Sequence, residues 1–338
     1  MKRLLALCLV AGAVAAGAGW ATASDSAGSL TKVKFVFNFA PGGYDANLVA
    51  GEAQGFFKEQ GLDVSFIVPA TGADPAKLIA NGAADIGLVH SLDVILARSK
   101  GLPLVSVGTT HQYGTLEVLC PASKNVRKLT DLYGKTYGLT GIPADRVMFE
   151  QMLKLNHVDQ SKIHVIVAGF AGVPQLLAGR IDCYEAISWY EPILYNLQLK
   201  KSPNDASTNT QLLYYKHGIP RFYTFGLTTS ESFLQKHADV VRKFMTAWVK
   251  ATQWSIAHPG PATADLVKAY RSLDTTSSLA IWKASAKVAT SPDTKAHCLG
   301  WQSPKVFSRL EQFLRSNKLI GKPVAVNTAM TNAYLPCK

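Results

Sequence analysis

Two hydrophobic periods alternate along this chain, and that alternation restricts it to a narrow set of folds. From Lys32 to Gly108, short apolar runs are separated by segments whose apolar residues recur at helical spacing. "VKFVFNF" reads as a buried strand. Val49, Ala53, Phe56 and Phe57 then mark a helix face, and Gly61 stops the helix. "LDVSFIV" is a strand, and Asp74 with Pro75 gives an N-cap and first-turn pair for "PAKLIANG". "ADIGLV", "DVILARSKG" and "LPLVSVGT" continue the series. Strands that alternate with helices pair in parallel through right-handed crossovers.

A second unit of the same kind begins near Leu116. "TLEVLC" and "KTYGLTG" are strands, "PADRVMFEQMLKLN" is a helix, and "KIHVIVAG", "PQLLAG" and "IDCYEAIS" extend the alternation. "FYTFGLTTS" reads as a further strand, and from Ser232 onward the chain is mostly helical. The pattern predicts an α/β fold of two lobes with mostly parallel sheets, joined by more than one strand. Residues 30–114 would form the first lobe, 115–219 the second, and 220–338 would return to the first. Ligands of open parallel sheets bind beyond the carboxyl ends of the strands, and facing lobes enclose a cleft that can close about a hinge.

Residues 1–23 read as a signal peptide: Lys2 and Arg3 precede an apolar run, and Ala21-Thr22-Ala23 forms a small-residue cleavage site. The apolar run is shorter than the roughly 20 residues of a membrane span. Leu7 before Cys8 argues against lipid attachment, so a freely soluble exported protein is expected, in the periplasm. The formal net charge is +12, but Lys and Arg are spread along the chain rather than clustered, so nucleic acid is not an expected partner. Four cysteines remain after cleavage, none in a CxxC pair, so a zinc site is not expected. In an oxidising compartment four cysteines allow three connectivities. Cys298–Cys337 and Cys120–Cys183 are favoured as pairs within one segment each, with four free thiols as the alternative.

The candidate binding residues stand at strand ends. Asn38 and Phe39 end the first strand and run through Pro41, Gly42 and Gly43 to Tyr44 and Asp45. The glycines are either a plain loop or a place where backbone approaches a ligand with no Cβ in the way. His90 and Ser91 end another strand, and Tyr113 falls at the predicted crossing between lobes. Thr140 and Gly141 precede a helix start whose free N–H groups can hold an oxygen. In "SWYEP", Trp189 and Tyr190 offer flat faces and Glu191 an acceptor.

Taken together, "NFAPGGYDANLVAGEAQGFFKEQGLDV", "LIANGAADIGL", "ARSKGLPLVSV", "LYGKTYGLTGIPADRVMFEQML", "LLAGRIDC" and "FLQKHADVVRKFMTAWVKATQW" resemble the SsuA-like family of periplasmic solute-binding proteins. That family serves ABC importers of nitrate, sulfonates, taurine and thiamine pyrimidine precursors. The resemblance spans Lys32 to Pro259 and rests on the order and spacing of the segments. It implies a periplasmic binding protein type II-like fold with a hinge and an interlobe cleft. The first motif is most similar to the thiamine-pyrimidine branch, which has an Asn-Trp pair followed by Pro and Tyr: Asn38 matches the Asn, Phe39 replaces the Trp, and Pro41 and Tyr44 follow. In that branch an aromatic ring stacks on the heterocycle and a late Glu, matched by Glu191, accepts from a ring amino group.

The synthases of the same branch use a His after the Tyr, a second His on the third helix, and a Cys-rich motif. Here Asp45 and Asp93 stand at the first two positions, and "GIPRFYTFGLTT" has no cysteine. The expectation is therefore a monomer without cofactor or metal that binds and does not catalyse. Its partners would be a small heterocyclic ligand and, transiently, an inner-membrane ABC permease. A sulfonate, nitrate or other small organic anion is the alternative ligand. A synthase-like enzyme and a periplasmic sensor are the alternative roles.

Overall fold

A computed structural model of the chain describes residues 29–70, 74–112 and 116–337. The predicted signal peptide and Tyr113 lie outside the described residues. Among the described residues, ten strands form two five-stranded sheets. The first contains β1 (Thr31–Val36), β2 (Leu62–Ile67), β3 (Ile86–Val89), β4 (Leu104–Thr109) and, from much later in the chain, β10 (Gly226–Ser230), in the order β2-β1-β3-β10-β4. The second contains β5 (Leu116–Pro121), β6 (Thr136–Leu139), β7 (His164–Val167), β8 (Cys183–Ile187) and β9 (Asn209–Leu213), in the order β7-β6-β8-β5-β9.

Both sheets are mixed. β1 pairs with β2 and β3 in parallel, whereas β10 lies antiparallel between β3 and β4. β6 pairs with β7 and β8 in parallel, and β5 runs antiparallel to β8 and β9. Each sheet thus keeps four strands in one direction and admits one reversed strand, the strand that begins where the chain has just crossed from the other lobe. An isolated strand run carries no signal for its direction, so periodicity alone left this reversal hidden.

The return segment completes the first lobe by packing. The helix Glu231–Ala257 starts at Ser230, whose Oγ accepts from the Phe233 N–H at 3.2 Å. It buries Phe244 against Phe35 (ring centroids 5.6 Å apart) and Phe57 (5.1 Å). Burial of one such side chain is worth roughly 1.5–3 kcal/mol, enough to hold a segment so distant in sequence. The second lobe is cross-linked between neighbouring strands: Cys120 on β5 is bonded to Cys183 on β8. Cys298 is bonded to Cys337. Both pairs are the ones favoured from the sequence.

The predicted strand "FYTFGLTTS" is shorter than its hydrophobic run. β10 begins only at Gly226, and Phe225 before it has φ of 56°, a left-handed conformation uncommon for a bulky residue. No helix among the described residues is long and apolar enough to cross a membrane.

Candidate functional site

The carboxyl ends of β1 and β3 in one lobe face those of β6 and β8 in the other, with a narrow cavity between them. Phe39 and His90 line it from the first lobe. Thr140, Ile142, Asp145 and Phe170 line it from the second, together with Glu185, Ile187 and Glu191. No lysine or arginine is among the residues that line it. Phe39 and Phe170 meet across the gap, ring centroids 4.8 Å apart and planes 18° from parallel, although Phe170 remains 49% exposed.

Asn38 is placed by the end of β1. Its Nδ2 donates to His90 Nε2 at 2.8 Å. An amide nitrogen can only donate, so Nε2 accepts and the ring proton sits on Nδ1. That Nδ1 is buried and has no partner among the described residues. Burial lowers the His90 pKa to about 4, so the ring is neutral and offers one N–H donor.

On the facing wall, Thr140 Oγ1 lies 2.9 Å from Asp145 Oδ2 and 3.1 Å from Glu185 Oε2, and it accepts from the Ile142 N–H at 3.2 Å. Burial raises the Asp145 pKa to about 7. Burial, then the neighbouring Asp145 charge, raises that of Glu185 well above the carboxylate range. The other oxygen of Asp145, Oδ1, is buried without a partner among the described residues. Glu191 opens the helix Glu191–Gln198; its Oε2 accepts from the Ile187 N–H at 2.7 Å, and burial raises its pKa to about 8.

The remaining predicted residues stand behind this lining. Tyr44 wedges into an aromatic cluster, stacked on Phe225 (5.3 Å) and edge-on to Trp189 and Tyr190, with its hydroxyl donating to the Ala40 carbonyl at 3.2 Å. Asp45 is buried, accepts from the Gly42 N–H at 3.0 Å, and is pushed up to about 8 by burial. The face of Trp189 is taken by His111, 4.4 Å away. Trp189 therefore supports the site instead of offering the flat face expected of it. Ser91 is likewise spent inside its lobe: Oγ donates to the Tyr223 carbonyl at 3.2 Å and accepts its N–H at 3.0 Å. Gly141 holds the turn after β6 with φ of 94° and does not line the cavity.

The glycine pair has a packing role. A Cβ on Gly42 would come within 2.6 Å of the Tyr44 ring, and one on Gly43 within 2.5 Å of the Ser278 carbonyl in the helix Thr275–Val288. Close approach is required there, but by the protein's own aromatic ring and return helix. Sequence reasoning missed Asp145, Phe170 and Glu185. Glu185 carried a signal, a carboxylate inside the apolar strand "CYEAI", where a buried polar residue is informative. Phe170 carried none, because its partner lies in the other lobe. Among the described residues, no group of three or more His, Cys, Asp and Glu is placed to hold a metal ion.

Residues 43–262 match the NMT1/THI5 like family. The formylaminopyrimidine-binding protein of Halalkalibacterium halodurans is 30% identical over 241 residues, 71% of each chain. The 4-amino-5-hydroxymethyl-2-methylpyrimidine phosphate synthase THI13 of Saccharomyces cerevisiae is 26% identical over 235 residues, 68% of this chain and 69% of the yeast protein. Among solved structures, the alkanesulfonate-binding protein SsuA from Xanthomonas axonopodis pv. citri, bound to MOPS, superimposes with a TM-score of 0.65 at 14% identity, covering 90% of this chain and 99% of that one. A protein from Bordetella bronchiseptica RB50 gives a TM-score of 0.66 at 19% identity, covering 90% and 96%. These likenesses establish a periplasmic-binding-protein fold of two α/β lobes.

Proposed function

The chain belongs to the NMT1/THI5 like family, and from that premise we propose that it is an extracytoplasmic solute-binding protein that captures a small aromatic heterocycle between its lobes. The ligand is of the thiamine-pyrimidine-precursor type, and an ABC permease receives it unaltered. The observation that carries this reading is the composition of the interlobe cavity: Phe39 and Phe170 present ring faces from opposite lobes, beside Glu191, with no cationic side chain in the lining. At 4.8 Å the two phenyl groups touch, so a flat ring enters only as the lobes part, and it then gains offset-stacked contacts worth about 0.5–1.5 kcal/mol each beyond area burial. Glu191 accepts from its N–H groups. A sulfonate or nitrate would need Arg, Lys or converging N–H donors instead.

Because the ligand touches both lobes, it favours the closed form by its differential contacts. Asn38, Tyr44, Asp45, Trp189 and Tyr190 position the lining, and Thr140 and His90 belong to it. A synthase role is the second reading, since several relatives carry that name. Asp45 and Asp93, in place of the histidines of that branch, argue against it.

The test is a thermal-shift panel of formylaminopyrimidine, flavin, MOPS, taurine and nitrate, with mass spectrometry of whatever co-purifies from cells. Formylaminopyrimidine should raise the melting temperature by mass action, with a dissociation constant of order micromolar or tighter, about −8 kcal/mol. Stabilisation by MOPS or nitrate alone would refute the choice of ligand.

A further inference from the structure

The wall of the cavity opposite His90 holds two carboxyl groups bridged by one hydroxyl. Thr140 Oγ1 sits between Asp145 Oδ2 and Glu185 Oε2 and already accepts the Ile142 N–H. A threonine hydroxyl has one proton to give and two lone pairs. It can donate to one carboxylate, and the second short contact then requires a proton on the other carboxyl group. At least one carboxyl group of the pair therefore carries a proton. The Tyr214 hydroxyl donates to Glu185 Oε1 at 3.2 Å, satisfying the side of Glu185 away from Thr140. Asp145 Oδ1 has no such partner, although the residue is only 2% exposed. His90, also 2% exposed, has the only other lining atom in this condition among the described residues, Nδ1.

A buried donor or acceptor left without a partner is destabilising, so both atoms are poised for a ligand. His90 Nδ1–H needs an acceptor, and Asp145 Oδ1 needs a donor.

We propose that Asp145, held by Thr140 and Glu185, is a second recognition subsite separate from Glu191, which together with His90 selects rings that carry an amidine edge. Such an edge places a ring or side nitrogen beside an exocyclic amine, so that N–H donors face the second lobe. An acceptor elsewhere on the ring faces His90. Where Asp145 is ionised, its charge also favours the protonated amidinium over the neutral form and repels anions. The inference rests on the heterocycle reading above and narrows it to a chemical class.

The experiment uses the full exported protein, its Asp145→Asn and Glu185→Gln variants, and four probes: 4-amino-2-methylpyrimidine, its 4-oxo counterpart, benzamidine and MOPS. Calorimetry gives the affinities, and melting of the unliganded variants reports folding. Asp145→Asn keeps an oxygen for Thr140 and removes a buried carboxyl group, so the empty variant should melt at or above the parent temperature. Its affinity for the aminopyrimidine and for benzamidine should fall at least about tenfold, equivalent to about 1.4 kcal/mol. The preference for the amino over the oxo ring should shrink by the same factor.

If the parent takes benzamidine but neither pyrimidine, and Asp145→Asn abolishes that capture, the pyrimidine reading falls and the amidine subsite stands. If Asp145→Asn binds both amino probes like the parent, or the parent binds neither, the subsite is refuted. Should Asp145→Asn fail to fold, Glu185→Gln carries the same test, since it removes the carboxyl group that competes with Asp145 for the Thr140 hydroxyl and should alter the amino-to-oxo ratio. An unchanged ratio in that variant overturns the proposal.

Discussion

Replacing Glu191 by two different residues separates its contribution to capture from its contribution to the fold. Glu191 Oε2 accepts from the Ile187 N–H at 2.7 Å inside the turn that ends β8, and the residue also lines the cavity. Glu191→Gln retains an acceptor for Ile187 but turns an N–H₂ group toward the ligand, where an acceptor is required. Above its pKa of about 8 Glu191 is ionised, so the titration is run on that side of the transition. A hydrogen bond to a charged group is worth about 1.5–3 kcal/mol. Its loss should weaken capture of formylaminopyrimidine by roughly 10- to 150-fold.

The unliganded Gln variant should unfold within about 1 kcal/mol of the parent, because the Ile187 bond survives. Glu191→Ala loses both functions: the same binding energy, plus about 1–3 kcal/mol of stability from an unpaired, buried Ile187 N–H. Calorimetric titration measures the first quantity, and urea denaturation without ligand the second. If the Gln variant binds like the parent, or the Ala and Gln variants unfold alike, the assignment of this side chain to both tasks is wrong.

Other consequences follow from the same geometry. Phe170→Trp keeps an aromatic face opposite Phe39, and its half-exposed indole should show a ligand-dependent change in emission, over that of the parent, if the ring enters between them; an emission unchanged at saturation rules that position out. The buried carboxyl groups make the empty protein less stable as pH rises. Asp45 and Glu191 hold protons in the folded state up to about 8, whereas unfolded carboxyl groups release them near 4. The folded state therefore binds more protons across that window, and this contribution to stability is lost as pH rises toward 8. Between pH 6.5 and 8 the two groups together should remove roughly 3 kcal/mol, at one unit per 1.4 kcal/mol. His90 and His111, neutral in the fold with pKa values lowered to about 4 and about 3, oppose this only below the unfolded value near 6.5. A stability profile that rises from pH 6.5 to 8 would contradict the burial of those carboxyl groups. Replacing both Cys120 and Cys183 by Ala opens a loop of 63 residues and should cost about 2–4 kcal/mol in chemical denaturation. A loss under 1 kcal/mol would mean the paired strands β5 and β8 need no cross-link.

Local pattern made the lobes legible. The alternation of strand and helix periods fixed where most strands and helices lie, since each depends on spacing within a few turns of chain. The strand-end residues Asn38, Phe39, His90, Thr140 and Glu191 were readable for a related reason: in sheets of this kind the carboxyl ends are where ligands sit. The resemblance ranked them. Cys120 and Cys183 could be paired because each lies in an apolar strand of one unit.

Several features depended on contacts across long sequence distances. Phe39 meets Phe170 only because two sheets face each other, and nothing in "AGFAG" marks that ring as a wall of a cavity. Ser91 and Trp189 looked available, yet Tyr223 and His111 occupy them. Asp145 is an ordinary first-turn acid until Glu185, forty residues later in another strand, is brought to the same hydroxyl. Gly42 and Gly43 seemed suited to a ligand and instead admit Tyr44 and the helix Thr275–Val288. Periodicity is a property of neighbours along the chain, so the sequence alone determined most of the elements, their alternation and which residues stand at the carboxyl ends of the strands. Which polar atoms are left without partners in the cavity is a property of neighbours in space, and only the packing of the two lobes decided it.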